Sequence, residues 1–301
     1  MKQLSTLAGV VANVLAITSL STTAVLAQEA QTAAAVVSPV KKTLADVEYR
    51  LPSTVAPTFQ RIHLNIDPDK PAYSGTTNID ITVKAPTKKV GFYQQDLTVK
   101  SARLVSSSST IPLDVTIGEY DINWGESQSE IAPGKYTLEV TFEGKVNTSS
   151  DGMYLSRFEE TNYIFTQFED MHARKAFPSF DEPNFKIPYQ MTISAPAHQE
   201  IVGNTPVEKV TVENGVKTVE FEKTKPMPTY LIAYTVGPFD SAEITGLSVP
   251  GKIYVPKGYA DKTKFVIKHT PEILASLEEF FGIKYPYKKM DFVAVPNFTH
   301  G

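Results

Sequence analysis

The sequence contains no cysteine among its 301 residues, and it contains only one tryptophan. Without cysteine it can form neither disulfide bonds nor thiolate metal sites nor a lipid anchor on cysteine, so its stability must come from the size of its core. It also has no H-E-x-x-H zinc motif, no G-x-S-x-G elbow and no glycine-rich phosphate loop. The net charge of −4, with no sustained Lys/Arg cluster, argues against nucleic acid or a membrane surface as a partner.

The first 27 residues are typical of a secretory signal peptide. Met1-Lys2 precedes an apolar run to about residue 20, and "AVLA" places Val25 and Ala27 where signal peptidase cuts. The alternative is a membrane anchor, because the uncharged run 3–28 is long enough to span a bilayer. The small polar residues in the run and the cleavage pattern favour removal. The sequence therefore predicts a secreted protein, periplasmic or, in a Gram-positive host, extracellular, with no membrane contact after cleavage, and a flexible leader at 28–48.

From Tyr49 the pattern is that of short β-strands. Three stretches, "FQRIHLNID", "TTNIDITVKA" and "YTLEVTFEGKV", alternate apolar and polar residues, with turn residues between them. The inward-facing positions of these stretches are Ile62, Leu64, Ile66, Ile79, Ile81, Val83, Tyr136, Leu138, Val140 and Phe142. "KVTVENGVKTVEF" predicts a hairpin with Asn214-Gly215 as its turn. The expected fold is mainly β, an antiparallel saddle-like sandwich.

A change of period near residue 260 indicates a helix. Five apolar residues follow at roughly helical spacing, namely Phe265, Ile273, Leu277, Phe280 and Phe281. Thr270-Pro271 resembles a helix start, so Pro271 either begins a helix or kinks a longer one, and Gly282 suits the end. "MDFVAVPNF" then predicts a strand. One helix and one strand cannot bury themselves, so this second element looks unfinished at Gly301.

"TQFEDMHARKAFPSFDEP" concentrates ionisable groups beside aromatic ones, as functional sites do. If "NYIFTQFED" continues as a strand, Gln167 and Glu169 project side by side, and an amide beside a carboxylate suits a cationic amine. The alternative is a polar pair on an edge strand. Arg174 is expected to pair with Asp181 or Glu182 and to brace the turn, a structural role.

These residues carry a family resemblance. "TQFEDMHARKAFPSFDEPNFKIPYQMTISAP" resembles the N-terminal domain signature of the aminopeptidase N family of zinc metallopeptidases. "MPTYLIAYTVGPFD" and "LEEFFGIKYPYKKMDFVAVPNFTHG" resemble later parts of the same family, in the same order. The resemblance implies a β-sandwich domain at 49–245, followed at 246–301 by the first helix and strand of an incomplete α/β thermolysin-like catalytic domain. Ser179 and Asn297 depart from the family pattern, which often has Cys and Asp there.

The resemblance also implies roles for four residues. Gln167 and Glu169 would grip the free α-amine of a peptide substrate, His300 would line the first side-chain pocket, and Gly301 would begin the family's G-A-M-E-N motif. The zinc of the full-length family would be held by residues after Gly301, so these 301 residues are expected to bind no metal and to be inactive alone. The implied partners are peptides with a free N-terminus and the missing catalytic and C-terminal domains.

Two other readings stay open at this stage. A noncatalytic secreted β-sandwich could bind peptides or proteins, since a fold does not determine a function. A frameshift or an incomplete gene could also account for the missing motifs.

Overall fold

A computed structural model of the chain describes residues 49–296 and Phe298. The signal peptide and the leader predicted at 1–27 and 28–48 lie outside the described residues, as do His300 and Gly301.

The described residues form mainly β structure, as the alternating sequence pattern predicts. The strands are β1 Val55–Asn65, β2 Ala72–Val83, β3 Thr87–Tyr93, β4 Thr98–Val105, β5 Thr110–Ile117, β6 Ile122–Ile131, β7 Gly134–Lys145, β8 Gly152–Phe158, β9 Thr161–Gln167, β10 Tyr189–Pro196, β11 Glu200–Gly203, β12 Val207–Glu213, β13 Val216–Phe221, β14 Tyr234–Gly237, β15 Phe239–Glu243, β16 Lys252–Pro256 and β17 Phe292–Val293. The α-helix of the described region, α1, spans Lys264–Phe281. It is not long and apolar enough to cross a membrane, and neither is any other helix in the described ranges.

The strands form three sheets. The large sheet has the order β12-β13-β10-β1-β2-β7-β4-β5-β6-β3, the second β11-β14-β9-β8 and the third β15-β16-β17. Neighbouring strands are antiparallel, as predicted, except for the parallel pairs β1–β10 and β16–β17. The largest apolar core joins side chains of β1, β10 and β13 in the large sheet to those of β9 and β14 in the second sheet. These two sheets therefore pack face to face around β9.

A second core lies further along the inner face of the large sheet. Ile62 and Leu64 of β1 belong to the first core, and Ile79 and Ile81 of β2 belong to the second. All four are at most 1% exposed, which confirms the alternation predicted from the sequence.

The Asn214-Gly215 hairpin is confirmed. These two residues join β12 to β13, and their φ angles are 50° and 79°. Both central positions of a type I′ turn need this left-handed conformation, which Asn and Gly adopt at little cost.

Helix α1 resolves the alternatives for Pro271, which lies inside the helix rather than at its start. Gly282 ends the helix in the left-handed conformation with φ of 67°, as predicted. The buried stripe of α1 is formed by Thr270, Leu274 and Glu278. The five apolar residues that predicted the helix are all exposed, and Phe280 is 81% exposed.

The strand predicted over residues 290–298 is short. Among its described residues, Phe292 and Val293 alone pair, in parallel with Ile253 and Tyr254 of β16. The domain boundary predicted at residue 245 lies in the connection between β15 and β16, which pair with each other throughout.

Glu278 ties the end of α1 to the neighbouring loops. Its carboxylate accepts hydrogen bonds from Lys284 Nζ at 2.7 Å, from the Ser248 hydroxyl and from the backbone N–H of Tyr285 at 2.9 Å. These three bonds, that of Lys284 first, lower the pKa of Glu278 from 4.5 to about 2. A carboxylate with a depressed pKa contributes stability above its unfolded pKa, and this contribution is lost as the pH falls toward its folded pKa.

Replacing Glu278 with glutamine should therefore lower the melting temperature at pH 7 and have a smaller effect near pH 2. Melting temperatures measured by circular dichroism between these pH values test this. Glu279→Gln, at an exposed position beside Glu278, is the control and should change neither the melting temperature nor its pH dependence. A Glu278→Gln effect that is equal at both pH values would contradict the assignment.

Candidate substrate-binding site

Strand β9 is buried on both faces, so packing on each side fixes the position of its C-terminal end. Tyr163 and Phe165 pack with Tyr154 and Phe239 on one face, whereas Ile164 packs into the large core on the other. This agrees with the predicted alternation. Gln167 is the last residue of β9, and it lies on the same side as Phe165.

Glu169 lies beyond the end of the strand, so the prediction of a strand that continues through it is wrong. Phe168 is 1% exposed and belongs to the large core, and its carbonyl accepts a hydrogen bond from the backbone N–H of His172 at 2.9 Å. The chain therefore turns directly after Gln167. Glu169 is exposed in this turn.

Gln167 and Glu169 are both free to bind a ligand. Neither side chain forms a hydrogen bond or an ion pair with any residue in the described ranges. They are two residues apart at the same end of β9. Asp170, a second exposed carboxylate without a partner in the described part, adjoins them.

A third carboxylate near Gln167, that of Asp151, already has a cationic partner. Gly152 of β8 lies opposite Gln167, and Asp151 just before it pairs with Lys175. Burial alone would raise the pKa of Asp151, but the hydrogen bonds from Lys175 and Ser149 outweigh it and lower that pKa. Asp151 thus remains ionised and occupied, which leaves Glu169 and Asp170 as the available carboxylates beside Gln167.

The segment after Glu169 lies between the two cores of the large sheet. Phe177 packs into the first core and Phe180 into the second. Between them, the carbonyl of Pro178 accepts a hydrogen bond of 2.9 Å from Gln60 Nε2, and Gln60 also donates to Thr77 at 2.7 Å. Two aromatic anchors and one buried polar link therefore hold "AFPSF" against the sheet.

Arg174 pairs with Asp181 across this segment, which confirms the predicted ion pair and selects one of the two predicted partners. Arg174 Nε lies 2.9 Å from Asp181 Oδ2, and the two side chains are 7% and 1% exposed. Arg174 also donates to the Asp181 carbonyl at 2.8 Å, and Asp181 accepts a hydrogen bond from the Thr229 hydroxyl. The network closes the turn, in agreement with a structural role.

A cavity of about 290 Å³ adjoins the Phe165 face of β9. Its other walls come from β11, β14 and the segment 285–298, where Lys289 and Asp291 form a half-buried ion pair of 2.6 Å. Sequence reasoning missed this cavity, because its walls come from segments far apart in the chain. By alternation along β9, the cavity and Gln167 lie on the same side of the strand.

Comparison with known proteins gives one family. Residues 56–231 match the Peptidase M1 N-terminal domain. Aminopeptidase M1-D of Oryza sativa subsp. japonica is 35% identical over 260 residues, which are 84% of this chain and 29% of that protein. Aminopeptidase M1 of Arabidopsis thaliana is 32% identical over 265 residues, or 84% of this chain and 30% of that protein. Aminopeptidase N of Acetobacter pasteurianus is 30% identical over 254 residues, or 82% of this chain and 71% of that protein. The chain thus spans less than a third of the plant relatives.

Proposed function

The chain belongs to the peptidase M1 family through its N-terminal domain, and on that premise we propose that it is the N-terminal part of an exported zinc aminopeptidase that removes N-terminal amino acids from peptides. The observation that carries the proposal is the pair Gln167 and Glu169. Both lie without a partner among the described residues, Gln167 at the end of β9 and Glu169 in the turn that follows, and the segment after this turn is anchored in two cores.

The chemistry of this pair suits a substrate's α-ammonium group. An ammonium group has three N–H donors and a positive charge, and the Glu169 carboxylate and the Gln167 amide oxygen are acceptors for it. A peptide with a blocked N-terminus lacks both the charge and two of the donors. A site that relies on these contacts discriminates strongly against such a peptide, which is the selectivity of an exopeptidase. We propose that His300 and Gly301 extend this substrate site.

The described residues do not fit the zinc ion that the family implies. They contain no group of three or more His, Asp or Glu side chains that could hold a metal. No catalytic step through a metal is therefore assigned to them. Their part in the reaction is to bind and orient the amine end of the substrate.

The purified 301-residue chain, supplied with zinc and an aminoacyl reporter substrate, should show no turnover that a chelator abolishes. The physical reason is that the whole sequence lacks the H-E-x-x-H ligand pair that activates a zinc-bound water in this family. Release of the reporter, measured with and without chelator, tests this, and an active zinc aminopeptidase serves as the positive control. Turnover that requires zinc would contradict the proposal that these 301 residues bind the substrate amine but do not hold the catalytic zinc.

A further inference from the structure

A second pocket, of about 500 Å³, is lined by the Arg174–Asp181 pair and has Tyr49, Tyr120 and Met171 as its apolar wall. These three side chains are 46%, 53% and 50% exposed, and the rings of the two tyrosines lie 5.0 Å apart. They form an exposed apolar wall above a polar floor. The floor contains Glu182, which has no part in the proposed function or in the Arg174–Asp181 ion pair.

Glu182 is a buried carboxylate without a cation. It is 8% exposed, and its Oε1 accepts hydrogen bonds from the backbone N–H of Leu51 at 2.8 Å and from the Tyr93 hydroxyl at 2.9 Å. Its Oε2 accepts no hydrogen bond from the described residues, and Glu182 forms no ion pair with any of them. Burial, together with the Glu182 hydrogen bond, raises the pKa of Tyr93, so this hydroxyl remains a donor at neutral pH. A buried, uncompensated carboxylate is costly unless a cation reaches it.

The charged side chains that line the pocket have a net charge of −1. Arg174 is shared by Asp181 and by Asp121, whose Oδ2 lies 3.5 Å from Arg174 Nη1. Arg50 lines the pocket but forms no ion pair with the described residues. Three carboxylates therefore line this pocket with two guanidinium groups, and among the described residues Glu182 is the pocket carboxylate that has no cationic partner.

The turn that supplies one wall is held in an unfavourable conformation. Tyr120 and Asp121 have φ angles of 57° and 61°, as at the two centres of a type I′ turn. Asn and Gly usually occupy these positions, and a bulky residue there is uncommon. The Asp121 carbonyl accepts hydrogen bonds from the backbone N–H of Gln94 at 3.1 Å and from Asn123 Nδ2 at 3.0 Å. The surroundings thus fix a tyrosine at the pocket rim despite its backbone preference.

We propose that this pocket binds the side-chain ammonium group of a lysine in a peptide. The ammonium group donates to Glu182 Oε2, and the aliphatic stem packs against Tyr49, Tyr120 and Met171. Aromatic faces attract cations, and a lysine stem buries readily on an apolar surface while its charge meets a carboxylate. This site goes beyond the proposed function, because it reads a side chain and needs no free α-amine.

The test uses N-acetyl-lysine amide, which carries the side-chain ammonium group but no α-amine. Titration of the full chain, followed through the methyl resonance of Met171, should show saturable binding. N-acetyl-norleucine amide, which has a similar stem without the charge, should not bind. Glu182→Gln keeps an oxygen for Leu51 and Tyr93 but removes the charge, and it should weaken binding by about tenfold or more. Tyr120→Asn suits the turn and removes the wall, and it should also weaken binding.

Two further variants test whether the site prefers a cation and whether it is separate from the amine-anchoring pair. Arg50→Gln removes a like charge and should strengthen binding by about twofold. Glu169→Gln should leave the affinity for this blocked probe unchanged, so a failure of the amine-anchoring proposal would remain distinguishable. Equal binding of the norleucine probe, or loss of binding in Arg50→Gln, would overturn the lysine site, as would unchanged affinity in a folded Glu182→Gln variant.

Discussion

Replacing Arg174 with methionine should lower the free energy of unfolding by about 3–5 kcal/mol, the cost expected when one partner of a buried ion pair is removed. Asp181 would remain 2% exposed with its charge and would keep only the Thr229 hydroxyl and a backbone N–H as donors. Methionine keeps an unbranched apolar side chain at this position, but it removes both the charge and the stacking of the guanidinium group on Tyr93, whose ring centroid lies 4.0 Å from Arg174 Cζ. Denaturant titration followed by circular dichroism measures the change.

An exposed arginine pair provides the matched control. Arg103 Nε lies 2.6 Å from Glu139, but the two side chains are 58% and 29% exposed. Arg103→Met should therefore cost less than about 1 kcal/mol. The double variant Arg174→Met/Asp181→Leu should recover part of the loss, because it leaves no buried Asp181 charge without its partner. If Arg174→Met lowered the free energy of unfolding no more than Arg103→Met, the Arg174–Asp181 ion pair would not stabilise the turn.

Local features of this fold could be predicted from the sequence because their causes are local. The alternation that buries Ile62 and Leu64 follows from the two-residue period of a strand facing one core. Asn214-Gly215 and Gly282 adopt left-handed backbone conformations, for which their residue types are suited. The family signature around Gln167 is equally local, since it is one continuous stretch of sequence.

Other features depend on partners far along the chain, so spacing could not reveal them. Arg174 pairs with Asp181 because Glu182 is already held by Leu51 and Tyr93, which are 131 and 89 residues away. The alternating pattern continues through Phe168, yet the strand ends at Gln167. Its pairing with β8 stops there, and the Phe168 carbonyl instead accepts the backbone N–H of His172 in a turn.

The continuation of α1 through Pro271 and the walls of the pockets also depend on contacts between distant parts of the chain. Helix α1 continues through Pro271 with Thr270 and Leu274 buried on either side of it, and burial of that stripe outweighs the poor helix propensity of proline. The pocket around Glu182 takes one wall from Tyr49 and another from Tyr120, which no sequence motif links.

Replacing Glu169 with glutamine should weaken the binding of leucine amide by about ten- to hundredfold, since a hydrogen bond to a charged group contributes about 1.5–3 kcal/mol. Leucine amide carries the free α-ammonium group, and N-acetyl-leucine amide, which lacks it, should bind neither form of the chain. Binding to the unaltered chain should also weaken above about pH 8, where the α-amine loses its proton. A titration followed through the side-chain amide resonances of Gln167 measures all three effects, because this amide is proposed to contact the same ammonium group.

Asp170 offers a control that separates a specific contact from the general negative charge of the turn. It is exposed, adjoins Glu169 and likewise has no partner among the described residues. Asp170→Asn removes the same charge one residue away, and screening by water and salt should limit its effect to less than about threefold. Equal weakening by Asp170→Asn and Glu169→Gln would mean that leucine amide senses only the charge of the turn. Glu169 would then lose its role as the anchor, whereas a difference between the two variants requires a positioned carboxylate at the end of β9.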